Sequence, residues 1–511
     1  MKRIWIMPVL VLALLLPLAA DGGTEKTAAK LKELRVAVAA LPTSLDSPRQ
    51  AGNTTGRVAF NVFDALIFAD PADGFKLKPM LAEEWKRLND RTLELKLRKG
   101  VKFHSGDDFT SEDVKFSFER SLDPKNGFSL ARSALATIQS IETPERHVVR
   151  IVTKLPDPLL EHRISSNIWG AEILSKRYTT SMPMDDFGFK VAGTGPFRLV
   201  SLSPTQVVLE AFKDFWGPKP DVDRIVFKHI PEPTAMIAAI VNNEVDIVTQ
   251  IPPDQVDTLA KNKEIDVKHV LVNNIHVVYY NTSAAPLSNV KIRQAMNLAI
   301  DRQLLVDTLW NGRNQVPRGH QYAAYGDLYI KDFPLPEYNL DKAKRLIKEA
   351  GYKNEPIVYQ THPTYYTNGQ PAAEAIVEMW RKVGLNAQVK ILEQPASDSV
   401  RNWSNTMRFP DPLGGLWLLW GPESGRQKGN EQTWFNVRAR FNELGRQMEQ
   451  TMDRSRRAQM NAEMMRIWDE EAPGTVLYYP YETYGIRKGV TWTPYSTLAL
   501  GFRGGNLSVA R

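Results

Sequence analysis

The period of the apolar positions changes several times along the chain, and each change marks an element. Residues 34–40 (LRVAVAA) form a short apolar run closed by Pro42, the mark of a buried strand. Residues 92–98 (TLELKLR) alternate apolar and polar at each step and read as a half-buried strand, with Asn89-Asp90 supplying the turn before it. Thr110 and Asp113 have the spacing of a capping box, which starts a helix over 111–121. Strands are then expected around Val207 and Ile225, a helix over 234–242, and a strand in NNEVDIVTQIPP that stops at its prolines. Amphipathic helices over 290–310 and 372–383 follow, the second leading into a strand at 387–392. Helices between short strands, several times over, imply an α/β fold with partly parallel sheets.

The first residues do not fit this pattern. Lys2 and Arg3 precede an uncharged apolar run over 4–18, which ends in Ala19 and Ala20. The run is short of the ~20 residues that span a bilayer and closes in small residues, so 1–20 reads as a cleaved secretory signal. Polar residues 21–33 make a lead-in. The chain has no cysteine, which excludes disulfides and a thioether-linked lipid anchor, so an exported protein of this kind is expected in the periplasm. A length of 511 residues suggests roughly three domains. The net charge of +7 is modest for that length and no long run of like charge occurs, which argues against nucleic acid as a partner.

Gly193 and Gly195 in VAGTGPFRLV imitate the start of a phosphate-cradling loop. A dinucleotide fingerprint needs a third glycine where Arg198 stands, Pro196 removes an amide, and the residues that follow alternate like strands. Catalytic patterns are equally thin. Eight histidines include no His-Glu-x-x-His, and GPESGR is not a nucleophile elbow because Glu423 and Arg426 break its frame. No enzyme activity, cofactor or metal site is therefore expected, and His104 in FHSG reads as structural.

Three stretches carry a family resemblance: LAEEWKRLNDRTLELKLRKGVKFHSGDDFTSEDVKFSFER, then GTGPFRLVSLSPTQVVLEAFKDFWGPKPDVDRIVFKHIPEPTAMIAAIVNNEVDI, then NTSAAPLSNVKIRQAMNLAIDRQLL. They resemble, in order and over nearly the whole mature chain, the peptide, nickel and opine class (family 5) of extracytoplasmic solute-binding proteins of ABC importers. The resemblance implies a two-lobed periplasmic-binding-protein type II fold with an extra domain inserted in the first lobe. By that analogy the first lobe takes 34–74, 195–278 and 485–511, the inserted domain 75–194 and the second lobe 279–484. The Gly-Thr-Gly-Pro turn then leads the chain back into the first lobe, with glycines free to take positive φ. A monomeric receptor working with a membrane permease is implied.

The candidate site lies in the aromatic-rich C-terminal part. Residues 416–419 read as a buried strand ending at Trp420-Gly421, which places Glu423 beyond the strand end, where α/β folds bind ligands; Trp417 lies within the strand. The resemblance implies that Glu423 meets a peptide's amino group, although an Asp is usual there, and that Arg408 meets a carboxylate. A guanidinium fork suits a carboxylate or a phosphate equally. RFPDP (408–412) offers a second register that would put Arg408 in the amine-binding position. Tyr365 and Asn368 stand on a loop before a helix whose first turn holds Pro371, a start that favours anions. Tyr279, Tyr280 and Asn281 lie at the presumed lobe crossover, where alternation sends one tyrosine to the cleft and the other to the core. A short peptide is the first choice of ligand. An opine or sugar phosphodiester is second, and a nickel chelate or a secreted hydrolase follows.

Overall fold

The structure, a computed structural model, describes residues 31–363, 365–395, 400–422, 424 and 439–510. Three sheets organise it. The largest runs, in order of neighbours, Ile265–Leu271, Tyr481–Arg487, Ile247–Val248, Glu33–Val38, Arg224–His229, Gln206–Ala211 and Phe197–Leu202. Its central strand Glu33–Val38 is parallel to both neighbours, and the outer pairs are antiparallel. The second sheet runs Ala387–Ile391, Ile357–Thr361, Val400–Thr406, Asn274–Tyr279 and Gly474–Tyr478. An antiparallel sheet of Ala82–Asn89, Thr92–Leu97, Val148–Thr153 and Ile138–Glu145 carries the helix Ser111–Leu122. That helix starts on the expected capping box, with both halves formed by Thr110 and Asp113.

Sheet membership places the two passages between the large sheets after Leu271 and after Tyr478. Asn274–Tyr279 pairs within the second sheet, and Tyr481–Arg487 lies in the first. Both crossings fall a few residues before the boundaries expected from the sequence, because strand pairing continues almost to the passage itself. The helix expected over 290–310 is two, Val290–Leu298 and Arg302–Trp310. Asp301 breaks it by accepting from the Leu304 amide at 2.9 Å, a cap that begins a new helix.

Gly193 and Gly195 do not take positive φ. Their need for glycine is proximity: a Cβ on Gly193 would stand 2.1 Å from the Val62 carbonyl oxygen, and one on Gly195 would stand 2.7 Å from that of Asn61. The gap is closed by the amides of Gly195 and Phe197, which donate to Val62 and Asn61 at 2.9 and 3.1 Å. His104 clasps the same turn. Its Nδ1 accepts from the Gly193 amide at 3.2 Å, so its Nε2 carries the proton and donates to the Gly195 carbonyl at 2.9 Å.

Candidate ligand-binding cleft

The strand Val400–Thr406 sets the position of the site. It is central to the second sheet, and the chain leaving its C-terminal end, at Met407 and Arg408, turns back on itself through the Arg408 amide, which donates to Gly414 at 3.0 Å. Arg408 thereby reaches a cavity of about 280 Å³ walled by Trp169, Trp403, Tyr365, Tyr366 and the helix start at Asn53. Two smaller cavities of about 70 and 180 Å³ adjoin it and share Asn53. The walls come from both large sheets and from the segment around the four-stranded one, so this is an inter-lobe cleft.

Arg408 decides the electrostatics. Its guanidinium lies 3.5 Å over the centre of the Trp169 ring and has no carboxylate partner among the described residues. Burial lowers its pKa to about 10, which still leaves it cationic at neutral pH. The acids near it are already engaged. Asp64 accepts from Thr194, Trp216 and Arg503. Glu172 accepts from Ser47 Oγ at 2.5 Å and from the Gly170 amide at 2.6 Å, with burial raising its pKa. Farther along the cleft Glu482 is paired with Arg57 at 3.1 Å, both buried. Among the described residues the cleft therefore presents a positive charge without a carboxylate partner.

Tyr365 and Tyr366 partition the cleft, since both line the cavity at Arg408 and the one at Arg57. They meet edge to face at 4.6 Å. Their loop is held by His362, whose Nδ1 accepts from the Tyr365 amide at 3.0 Å, and by Tyr366, whose hydroxyl accepts from the Ser404 amide at 3.1 Å.

Of the residues expected from the sequence, Arg408 and Tyr365 come together here. The others stand elsewhere. Residues 416–420 form a helix, Leu416–Trp420, and not a strand. An apolar run of this length fits either element, and the helix buries Leu416, Trp417 and Trp420 while turning Leu418 and Leu419 toward the cleft. Trp420 is core, stacked on Tyr279 at 5.5 Å and edge-on to Trp468. Trp417 donates from its indole nitrogen to Glu449 at 2.8 Å and, with Gly421, lines a cavity of about 210 Å³ that adjoins the main one through Ser133, Leu418 and Ser424. Glu423 lies outside the described residues. Tyr279 and Tyr280 are both buried, because Asn274–Tyr279 is an interior strand covered on its two faces and the chain at its end sends each side to a core; the Tyr280 hydroxyl donates to Asn297 at 2.8 Å. Asn281 closes a local turn, accepting from the amide and hydroxyl of Ser283. Asn368, at φ +56°, precedes the helix Gly369–Lys382 and donates to Leu309 at 2.6 Å, and the first helical amide is used by Tyr366.

The candidate cavity lies beyond the end of the strand Val400–Thr406, not beyond residues 416–419. Sequence reasoning did not single out Trp169 or Asn53. Trp169 stands beside a glycine in a stretch without apolar period, the one local hint of an exposed aromatic on a loop.

Comparison with known proteins fits this geometry. A dipeptide-binding protein of Escherichia coli K12 is 25% identical over 453 residues, covering 81% of this chain and 82% of its own. A glutathione-binding protein of the same strain is 30% identical over 375 residues, with 71% and 70% covered. A periplasmic binding protein from Helicobacter pylori, solved with the peptide STSA, superposes with a TM-score of 0.84 at 22% identity, covering 94% of this chain and 98% of that one. The sequence profile of the bacterial extracellular solute-binding proteins, family 5 (middle), matches residues 76–425. The chain belongs to that family of solute-binding proteins, with the two-lobed fold that goes with it.

Proposed function

We propose that the protein is the periplasmic receptor of an ABC importer and captures a short peptide between its lobes, handing it to a membrane permease without chemistry of its own. The observation that carries the reading is the unpaired Arg408 guanidinium in the inter-lobe cleft. A half-buried charge that faces a cavity without a countercharge gains when a ligand supplies the anion and closure excludes water. The α-carboxylate of a peptide has the planar shape that a guanidinium grips through two bonds. A main cavity of about 280 Å³ lies at the small end of ligand sites, about 300 to 1,000 Å³, which favours a di- or tripeptide over a longer chain. Aromatic walls supply contact area with little regard to side-chain identity. For the amino end we take Glu423, as the resemblance implies.

Calorimetric titration with a dipeptide pool is expected to show saturable binding, and small-angle scattering should show the lobes closing on it. Glu423→Gln should weaken that binding by about 2 to 5 kcal/mol, roughly 30-fold or more. The second reading, an opine or sugar phosphodiester, rests on the same Arg408 and on the engaged state of every described acid near it. Binding of a sugar phosphate, with none of the dipeptides and no effect of Glu423→Gln, would establish it in place of the first. Hydrolysis of the peptides by the purified protein would remove the receptor reading altogether.

Export is proposed from Lys2, Arg3 and the short apolar run after them. The protein recovered from a periplasmic fraction should have the intact mass of a monomeric chain starting near Asp21. Retention of Met1 in washed membranes would contradict this.

A further inference from the structure

The turn over 165–170 touches Arg408 twice. The Arg408 guanidinium carbon lies over the Trp169 ring, 3.5 Å from its centre, and Asn167 donates from Nδ2 to the Arg408 carbonyl oxygen at 2.6 Å. The Asn167 bond joins positions 241 residues apart in sequence, at the wall of the cavity that Arg408 and Trp169 both line.

The turn is built to hold the indole in one place. Gly170 takes φ +92°, which a side chain would resist, and a Cβ there would stand 2.5 Å from that of Ala131. The Gly170 amide is tied to Glu172 at 2.6 Å. On the other side the indole nitrogen lies against Gly56 of the helix Asn53–Ala59, where an added Cβ would come within 3.4 Å of it. Trp169 is thus wedged between the first lobe and a residue of the second.

We infer that Trp169 is the positioning residue of the anion site: it orients the Arg408 guanidinium and makes its grip on a ligand depend on closure of the lobes. A guanidinium stacked on an aromatic face has its donors confined to the plane parallel to that face, so its N–H edge points along the cavity and not at the wall. A flexible arginine in an open cleft would sample many directions, and fixing one in advance removes an ordering cost from binding. Because the stack joins the turn over 165–170 to the chain beyond Val400–Thr406, an anion on the fixed edge favours the arrangement in which these two segments meet, and that arrangement in turn sharpens selection for anions. The inference rests on Arg408 as the anion-binding group, and it holds for a carboxylate or a phosphate.

The test compares wild type, Trp169→Leu and Trp169→Phe by calorimetry. The probes are a dipeptide pool with its C-terminal amides, and a set of sugar phosphates with the uncharged sugars. Whichever anion binds the wild type, Trp169→Leu is expected to lower its affinity about tenfold and to narrow the preference over the neutral counterpart by a similar factor, while Trp169→Phe keeps the preference within about threefold. A wall residue of purely structural importance would weaken charged and neutral probes alike, and that outcome, or an unchanged preference in Trp169→Leu, overturns the proposal. If only sugar phosphates bind and their preference depends on Trp169, the peptide reading falls and this one stands. A wild type that binds neither class, or that fails to distinguish anion from neutral counterpart, overturns both.

Discussion

Arg408→Met should leave the ligand-free protein as stable as the wild type or more so, and should all but remove its affinity for dipeptides. The two halves follow from one fact. The guanidinium is half-buried at the cavity with no carboxylate among the described residues, so the folded protein carries a partial desolvation cost that the stack on Trp169 offsets by about 1 kcal/mol. Methionine has a similar unbranched stem and no charge, and fills irregular space well. An unfolding free energy equal to that of the wild type, or up to about 1 kcal/mol higher, is expected from denaturant titration of the ligand-free protein. In binding, the variant loses a charge-assisted contact to a desolvated carboxylate, about 2 to 5 kcal/mol, or at least roughly 30-fold in Kd by calorimetry. A variant that binds dipeptides within threefold of wild type would take Arg408 out of the site. A variant destabilised by about 2 kcal/mol or more would show the guanidinium to be structural, and its freedom from a partner to be of no functional meaning.

The parts of the fold that could be read from the sequence are those whose cause is local. Strict alternation gave Thr92–Leu97, and the spacing of Thr110 and Asp113 gave the start of Ser111–Leu122. Resemblance over long blocks gave the two lobes and the family. What failed was decided by contacts far apart in the chain. LWLLW contains no period that separates helix from strand, and its helical form follows from what Trp417 and Trp420 meet, namely Glu449 and Tyr279. Tyr279 and Tyr280 alternate as expected, but alternation names a cleft side only when one face of the sheet is open, and here both are covered. Arg408 was legible as a candidate because its residue type suits an anion. Its partner Trp169 was not, since only the folded chain brings the turn over 165–170 to the end of Val400–Thr406. Glycines 193 and 195 mark a turn in sequence, yet their reason is the approach of residues 61 and 62, not backbone handedness.

The same turn supports a prediction about acid. His104→Ala should destabilise the protein by about 3 kcal/mol at pH 7.5, and the penalty should shrink to about 1 kcal/mol at pH 5. At the higher pH the variant leaves the Gly193 amide and the Gly195 carbonyl without their ring partners and opens a gap against Phe212, whose ring lies 4.8 Å away. The pH dependence comes from the imidazole. Burial lowers its pKa from the ordinary 6.5 to about 4, opposed in part by its bond to Gly195 and the charge of Asp64, and aided by Arg198. A second proton would also have to go on Nδ1, which is accepting from Gly193. The folded state therefore keeps the ring neutral while the unfolded chain protonates it below about 6.5. Stability drawn from this group is complete above that pH and is lost as pH falls toward 4, by about 2 kcal/mol at pH 5. The alanine variant has no such group to lose, so the difference between the two proteins narrows by that amount. Buried acids with raised pKa values, such as Glu172 and Glu482, push total stability the opposite way on acidification, but they are common to both proteins and cancel in the difference. Denaturant titrations of both proteins at pH 7.5, 6 and 5 measure it directly. A penalty that stays constant with pH would mean that His104 titrates normally in the folded protein, and the clasp between FHSG and the Gly-Thr-Gly turn would not be what holds it neutral.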